Sequence, residues 1–227
     1  MQTSLRHEVV SRPAQVLIVD DHPILRHGIA QLVQREPDLQ PCGEAGSVEE
    51  AMDVMATRLV DMVIVDLSLN DRSGMDLIRT TKQRHPKVHC LVLSMHDENL
   101  HAERALRAGA RGYVMKQEAT RKIVTALRRV REGHIYVSDA LGSQMLQRLA
   151  EAKAEASPAK VSPVSSLSDR ELEVLQMIGR GMKTGEIARS LHRSVHTVEA
   201  HRANIKRKLN LSTAAELSQF AFRMVES

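Results

Sequence analysis

The sequence predicts an α/β domain, a doubly wound parallel sheet of five strands, followed by a small all-α domain of four helices. Three observations predict it. Short, unbroken apolar runs alternate with amphipathic stretches from about residue 15 to residue 133. The clearest runs end on polar residues that suit one chemistry: Asp20, Asp66, Ser94 and Lys116. From Leu167 onward the only apolar period is that of a helix, over too few residues for a second sheet. Strands that alternate with helices build parallel sheets, because each return crossing lays a helix over a face of the sheet.

The elements follow in order. Val16-Leu17-Ile18-Val19 is the first strand, and Ile24, Leu25, Ile29, Leu32 and Val33 repeat at helix spacing after it. Residues 40–45 form a weaker strand. Ser47 caps a helix that carries Val48, Ala51, Met52 and Met55. Met62-Val63-Ile64-Val65 is the third strand, and its helix holds Met75, Leu77 and Ile78 after Gly74. Cys90-Leu91-Val92-Leu93 precedes a helix with Ala102, Ala105 and Leu106, which stops at Ala108-Gly109. Gly112-Tyr113-Val114-Met115 precedes a helix with Ile123, Leu127 and Val130, which stops at Gly133. Apolar runs without alternation suit strands buried on both faces.

Residues 1–14 are read as an N-terminal extension and 15–133 as the α/β domain. Residues 134–166 are read as a linker with a helical start and a flexible end. Leu141, Met145, Leu146 and Leu149 are in helical phase over 138–156, whereas 157–166 holds two prolines, four serines and no apolar period. Residues 167–227 carry helical segments at about 168–180, 184–191, 195–209 and 213–225.

Composition narrows the function. Of 227 residues 42% are hydrophobic and 26% charged, which is enough apolar surface for a globular chain. No apolar run approaches the roughly 18 residues of a membrane span. The first 13 residues carry charges and no apolar core, so no secretory signal is expected. Cys42 and Cys90 offer neither a disulfide framework nor a metal pair, and a cytoplasmic location is expected. Tyr113, Tyr136, Phe220 and Phe222 are the only aromatics. That speaks against base-stacking platforms for single strands and against a pocket for a bulky apolar ligand. The net charge is +4; residues 161–227 hold ten basic against seven acidic residues, so most of the excess sits there. A polyanionic partner is indicated for that segment.

In an open parallel sheet, ligands bind at the carboxyl ends of the strands. One aspartate after one strand is usually a turn former or a helix cap. Four strand ends with groups of a common purpose are harder to explain that way. Asp20, Asp21 and Asp66 placed together repel unless a cation joins them. Mg2+ fits, since it takes oxygen ligands from few carboxylates and keeps waters that a phosphate can replace. Lys116 offers a point charge for phosphate and Ser94 a hydroxyl. An aspartate beside them is a carboxylate nucleophile able to form an acyl phosphate.

These motifs carry a resemblance. Val19-Asp20-Asp21-His22-Pro23, Val65-Asp66-Leu67-Ser68, Leu93-Ser94-Met95-His96 and Tyr113-Val114-Met115-Lys116 resemble the receiver domain of two-component response regulators, over about residues 15–133. The resemblance implies a flavodoxin-like fold in which Asp66 accepts a phosphoryl group from a sensor histidine kinase. It implies Mg2+ held by Asp21, Asp66 and the carbonyl of Ser68, with Asp20 assisting through water. Lys116 becomes the phosphate partner, and Ser94 and Tyr113 the switch pair whose hydroxyl and ring move together; a plain core aromatic is the other reading of Tyr113. The family usually has proline four residues after the acceptor, where this chain has Asn70, a softer turn. The spacing from Asp66 to Gly74 is that of the family. Met95 is larger than the residue often found there and is expected to narrow access to the phosphate.

Residues 167–227 resemble the LuxR-type helix-turn-helix, through Leu167-Ser168-Asp169-Arg170-Glu171, Gly181, Glu186-Ile187-Ala188 and the run from Thr197 to Ile205. Ser168 and Glu171 stand at capping-box positions. Together the two likenesses resemble the NarL/FixJ subfamily. On the helix after Ser194, Val198, Ile205 and Leu209 share a face that should pack inward, and His201 beside it reads as structural. The opposite face is read as a recognition helix for double-stranded DNA. Its residues are His196, Thr197, Glu199, Ala200, Arg202, Ala203, Lys206 and Arg207; a charged face is otherwise simply solvated. The resemblance puts base contacts at Glu199, Ala200 and Ala203, while Arg202, Lys206 and Arg207 hold phosphates. The last segment, with Ala214, Ala215, Leu217, Phe220, Ala221 and Met224, reads either as a pairing helix between two copies or as intramolecular packing.

The resulting expectation is a transcriptional regulator controlled by phosphorylation, not an enzyme acting on an external substrate. It pairs as a homodimer through its receiver and C-terminal helix, and meets no membrane. Two rivals stay open. A phosphohydrolase that uses an aspartyl-phosphate would need an acid two positions after Asp66, where Ser68 stands. A ligand- or partner-gated transcription factor would leave the receiver silent.

Overall fold

Branched and aliphatic residues lose little by being held extended, and here they form a central sheet. The structure, a computed structural model, describes residues 12–69, 73–95, 98–154, 163–191 and 193–226. The chain divides into two units, residues 1–141 and 142–227. Of the predicted N-terminal extension, residues 1–11 lie outside the described residues.

The first unit alternates β1 (Ala14–Val19), α1 (Pro23–Gln34), β2 (Leu39–Ala45), α2 (Val48–Thr57), β3 (Met62–Val65), α3 (Gly74–Arg84), β4 (His89–Ser94), α4 (Glu98–Ala108), β5 (Gly112–Met115) and α5 (Ala119–Arg131). All pairings are parallel, in the order β2-β1-β3-β4-β5. One face of the sheet, with Val16, Ile18, Ile64, Leu91 and Leu93, packs on Ile29 and Val33 of α1 and on Ile123, Leu127 and Val130 of α5. The alternate residues Leu17, Val63, Val65 and Val92 are equally buried, which explains why the strands read as unbroken apolar runs. Ser47 caps α2 by accepting from Glu50 N–H, as its position predicts. Gly109 and Gly133, at the predicted helix ends, have φ of +119° and +87°.

Topology builds the crevice. β1 is flanked by β2 on one side and β3 on the other, so strand order reverses at β1, where ligands bind in open α/β sheets. Val19 is level with Val65, so β1 and β3 end together, while Val65 is level with Val92 and β4 runs two residues further, to Ser94. Asp66 N–H donates to Val19 O (2.9 Å), and Asp20 N–H to Ala45 O (3.1 Å), so both aspartates leave the sheet from the same rim.

Residues 134–141, read from sequence as the start of the linker, are instead packed onto the first unit. Tyr136 bridges to Gly112 at the free edge of β5, giving its carbonyl to Tyr113 N–H (2.8 Å) and its N–H to Arg111 O (2.9 Å). Ser138 N–H donates to Glu98 Oε1 (2.8 Å), and Leu141 is buried. An unpaired β5 edge explains the difference: it offers backbone partners to whatever strand-like segment follows. The predicted helix over 138–156 is present as α6 (Asp139–Ala154), with Leu141 N–H bonded to Ser138 Oγ. Of the predicted tether, 157–162 lies outside the described residues, whereas Pro163–Ser166 forms a 3-10 turn whose Val164 packs on the helical core.

The second unit holds α7 (Asp169–Gly179), α8 (Thr184–Ser190), α9 (Val195–Lys208) and α10 (Ala214–Glu226). Leu175, Ile178, Ile187, Val198, Ile205, Leu217 and Ala221 form its core. Ser168 and Glu171 make the reciprocal capping box on α7. Gly179 lies where α7 crosses α10: a Cβ there would stand 2.4 Å from Ala221 O. α10 therefore packs within its own unit. Leu217, Phe220, Ala221 and Met224 face that core, whereas Ala214, Ala215, Phe222 and Val225 are exposed.

Glu171 does more than cap. Its buried carboxylate also accepts from Lys208 Nζ (2.6 Å), tying α7 to the end of α9. Burial raises its pKa, but Lys208 and the Ser168 bonds outweigh that and hold it below the ordinary 4.5. A folded-state pKa below the unfolded one gives stability that is present above pH 4.5 and lost as pH falls through the folded value. Glu171→Gln is expected to cost about 2 kcal/mol at neutral pH and to lose this acid limb. Hydrogen exchange of the α7 and α9 amides as a function of pH measures both.

Candidate functional site

The rim of β1, β3 and β5 gathers the charged residues. Asp20 and Asp66 are buried at 2% and 1% exposure, and the Asp21 side chain is nearly so. Lys116, at the end of β5, opens a 3-10 turn and reaches across β4, placing Nζ 2.7 Å from Asp66 Oδ2 and 2.8 Å from Asp20 Oδ2. Burial pushes the Asp66 carboxyl above its ordinary value, and Lys116 works against that. Burial also disfavours the Lys116 ammonium, but Asp66 and Asp20 more than compensate and keep it charged. Asp66 Oδ1 accepts from Ser68 N–H at 3.2 Å. Ser68 also bridges to Ser73, closing the loop that starts from Asp66.

One ligand atom each from Asp20, Asp21, His22 and Asp66 can be chosen so that all lie within 4.8 Å of one another. Asp21 Oδ1 is buried and accepts no hydrogen bond. Three carboxylates thus face one ammonium, leaving negative charge and an oxygen without a donor. That donor set fits Mg2+, whose charge would offset the repulsion that Lys116 leaves.

Ser94 is fully buried at the end of β4, and Tyr113, 1% exposed, is among the largest fully buried side chains. Tyr113 is level with Val92 and Ser94 with Met115, so the two stand on adjoining strands, Tyr113 two residues further from the rim than Ser94. The 55% exposure of Met95 places it at the surface beside Ser94. Asn70 lies outside the described residues.

On α9 the structure separates two faces. Ser194 caps the helix, accepting from Thr197 N–H (3.0 Å). Val198 and Ile205 are buried and Leu209 half-buried, as their spacing predicts. His201 is half-buried, and desolvation lowers its pKa, which keeps it neutral. His196, Glu199, Ala200, Ala203 and Arg207 are exposed and recur at three- and four-residue steps, one continuous strip. Thr197, Arg202 and Lys206 flank the strip and are half-buried. Arg202 Nε lies 3.9 Å from Glu199 Oε2, and Arg207 donates to Asn204 Oδ1 (2.9 Å). The two unbranched alanines at the centre leave room for another backbone or a groove to approach.

Sequence reasoning does not single out three contributors. From sequence His22 is only part of a motif, yet its Nδ1 lies 2.8 Å from Asp21 Oδ1. Arg26, one turn into α1, donates from Nη1 to Asp20 O and from Nε to Glu44 Oε2 (3.1 Å), fixing the backbone beneath the acidic pair. Val195 is 53% exposed beside His196, an apolar end to the α9 strip. The signal for His22 and Arg26 is their place in the first turn after Asp20-Asp21, where a helix start folds side chains back over the strand end.

Comparison with known proteins accounts for both units. Residues 16–128 match the family described as "Response regulator receiver domain", and residues 165–221 match "Bacterial regulatory proteins, luxR family". The response regulator UvrY of Escherichia coli (strain K12) is 34% identical over 209 residues, covering 92% of this chain and 93% of UvrY. The oxygen regulatory protein NreC of Staphylococcus carnosus is 32% identical over 92% of this chain and 97% of its own. Among solved structures, the RcsB response regulator of Salmonella typhimurium superposes with a TM-score of 0.62 at 24% identity, over 95% of this chain and 99% of that one, a likeness of fold.

Proposed function

Since the chain belongs to the response regulators of the NarL/FixJ subfamily, a receiver joined to a LuxR-type helix-turn-helix, we propose that it is a transcriptional regulator switched by phosphorylation of Asp66. One observation carries this reading: a buried acceptor carboxylate paired with Lys116 at 2.7 Å, on the rim that also holds Asp20 and Asp21. A sensor histidine kinase supplies the phosphoryl group. An Asp66 oxygen attacks phosphorus, the phosphorus–nitrogen bond of the donor phosphohistidine breaks, and the imidazole leaves with the bonding pair. Lys116 then turns from the carboxylate to the oxygens of the new acyl phosphate. Asp20, Asp21, Asp66 and the Ser68 carbonyl would hold Mg2+, which supplies positive charge for the phosphoryl oxygens. The added charge of about −1.5 to −2 draws the Ser94 hydroxyl to the phosphate, and Tyr113 repacks behind it. That shifts the receiver between two states, one of which pairs with a second copy.

Residues 15–133 form the receiver in this reading, and residues 167–227 bind duplex DNA and pair through the exposed Phe222 and Val225 side of α10. Such a protein acts in the cytoplasm, where its DNA is. Nothing in the site favours phosphohydrolase chemistry: Ser68, not an acid, stands two residues after Asp66.

The α9 strip distinguishes positioning from reading. Neutralising Lys206 or Arg207 is expected to weaken operator and random duplex alike. The salt slope should fall by about one unit for each phosphate that is no longer neutralised. Glu199→Ala is expected to cost about 1–3 kcal/mol on the operator alone, as a carboxylate that accepts from cytosine N4 does. Random duplex should bind this variant more tightly, because a repelled charge is gone. Titrations of both duplexes at several salt concentrations, with and without phosphorylation, provide the test. Equal effects of Glu199→Ala on both would show that this residue faces solvent.

A further inference from the structure

We propose that His22 is itself a ligand of the divalent cation, which makes the site a mixed carboxylate–imidazole site; this rests on the reading above that the acidic rim holds a metal. His22 Nδ1 stands 2.8 Å from Asp21 Oδ1 and 3.2 Å from Asp20 Oδ1, on the side where Asp66 also contributes. Neighbouring donors around a six-coordinate ion with bonds of about 2.1 Å are separated by about 3.0 Å along an octahedron edge. The His22 spacings bracket that value. Asp21 Oδ1 is buried and accepts no hydrogen bond, with the His22 nitrogen 2.8 Å away. With its Nδ1 deprotonated, the ring and this oxygen would be two electron-pair donors converging on one point, the arrangement of two ligands of one cation.

The backbone supports the same reading. His22 is the N-cap of α1, in an extended conformation (φ −94°, ψ 103°), and its ring makes no capping bond. Its N–H is already bonded to Asp20 Oδ1 (2.8 Å), and Pro23 follows at the first helical position. Proline restricts the residue before it to extended geometry, so the Cβ of His22 leaves the chain in a fixed direction, over the carboxylates. The side chain is 65% exposed, so it is not held there by packing.

A simpler role exists for the same histidine: as an imidazolium it would neutralise Asp20 and Asp21 through its 3.2 Å bond to Asp20. The two roles differ in sign. A counter-ion is displaced when a metal enters, and its removal strengthens metal binding. A ligand is retained, and its removal weakens binding. A nitrogen donor also matters unequally among metals. Mg2+ strongly prefers oxygen, whereas imidazole favours the first-row transition ions.

The test uses the untagged full-length chain and Mn2+ alone, read by pulsed electron paramagnetic resonance and by titration. Bound Mn2+ is expected to show modulation from a directly coordinated nitrogen, which changes isotope on 15N-histidine labelling and disappears in His22→Ala. Losing an outer-shell partner already costs about 10–100-fold in metal affinity, so Mn2+ affinity is expected to fall at least tenfold in His22→Ala. Mg2+ affinity should change much less. An oxygen-only spectrum, from Mn2+ whose binding is lost in Asp21→Asn, would overturn the role of His22 and leave the metal site standing. Unchanged or tighter Mn2+ binding by His22→Ala would overturn it as well, in favour of the counter-ion. Mn2+ binding that ignores both Asp21→Asn and His22→Ala would overturn the metal site and the proposal together.

Discussion

An Asp66→Asn chain incubated with acetyl phosphate and Mg2+ is expected to take up no phosphate, while the wild-type chain acquires one hydroxylamine-sensitive group. The reason lies in how little the substitution changes besides the chemistry. Asn has the size and shape of Asp, but its amide is no nucleophile at phosphorus and carries no charge for a cation. Its oxygen can still accept from Ser68 N–H or face Lys116, and Lys116 keeps Asp20 at 2.8 Å. One fewer carboxylate among three also relieves repulsion, so stability should be equal or higher. Intact-mass spectrometry measures the adduct, and a thermal melt confirms the fold. The wild-type result also separates the rival readings. A silent receiver takes up no phosphate at all. A phosphohydrolase releases inorganic phosphate continuously and never accumulates the adduct. Adduct that persists in Asp66→Asn would move the acceptor elsewhere.

The strands and the acidic rim were legible in the sequence for one physical reason. A strand buried on both faces must be apolar along its length, so the first polar residue marks where the chain leaves the core, and in a parallel sheet those exits share an edge. Asp20, Asp66, Ser94 and Lys116 can therefore be placed from the sequence alone. Contacts that depend on the angle at which a chain re-enters were not legible. The ring of His22 points back because Pro23 follows it, and Arg26 reaches Asp20 O only once α1 has its final tilt. Tyr136 has no strand pattern around it, and its bridge to Gly112 exists because β5 is an edge. The C-terminal helix shows a further limit. Its apolar period marks Leu217, Phe220, Ala221 and Met224, and these form the face turned inward. A single apolar period cannot say whether the partner is the same chain or another copy. The exposed Phe222 lies off that period and emerges only from the packing, whereas Val225 is in phase with Ala221 yet still 42% exposed at the end of the helix.

Gly74→Ala is expected to damage the acceptor site from behind, without touching a charged group. Gly74 is the first residue of α3, and its N–H donates to Leu67 O (3.0 Å). A Cβ at this position would stand 2.0 Å from Asp66 O and 2.9 Å from the Leu67 Cα. Both obstacles are backbone, so no rotamer change relieves the overlap; either the start of α3 or the segment after β3 has to move. Overpacking of this kind costs about 1–3 kcal/mol, and a backbone obstacle belongs at the upper end. The consequence for function is larger than that for stability. The displaced segment carries the Asp66 carboxylate and the Ser68 N–H that orients it at 3.2 Å. A misplacement of about 1 Å in a reacting group can cost on the order of 10²-fold in rate. Phosphorylation of Gly74→Ala by acetyl phosphate should therefore slow by about two orders of magnitude while the protein remains folded. A rate series at fixed Mg2+, with circular dichroism melts of the same samples, measures both quantities. Loss of stability with an unchanged labelling rate would show that the loop yields away from Asp66, and that the close approach of α3 is a matter of packing alone.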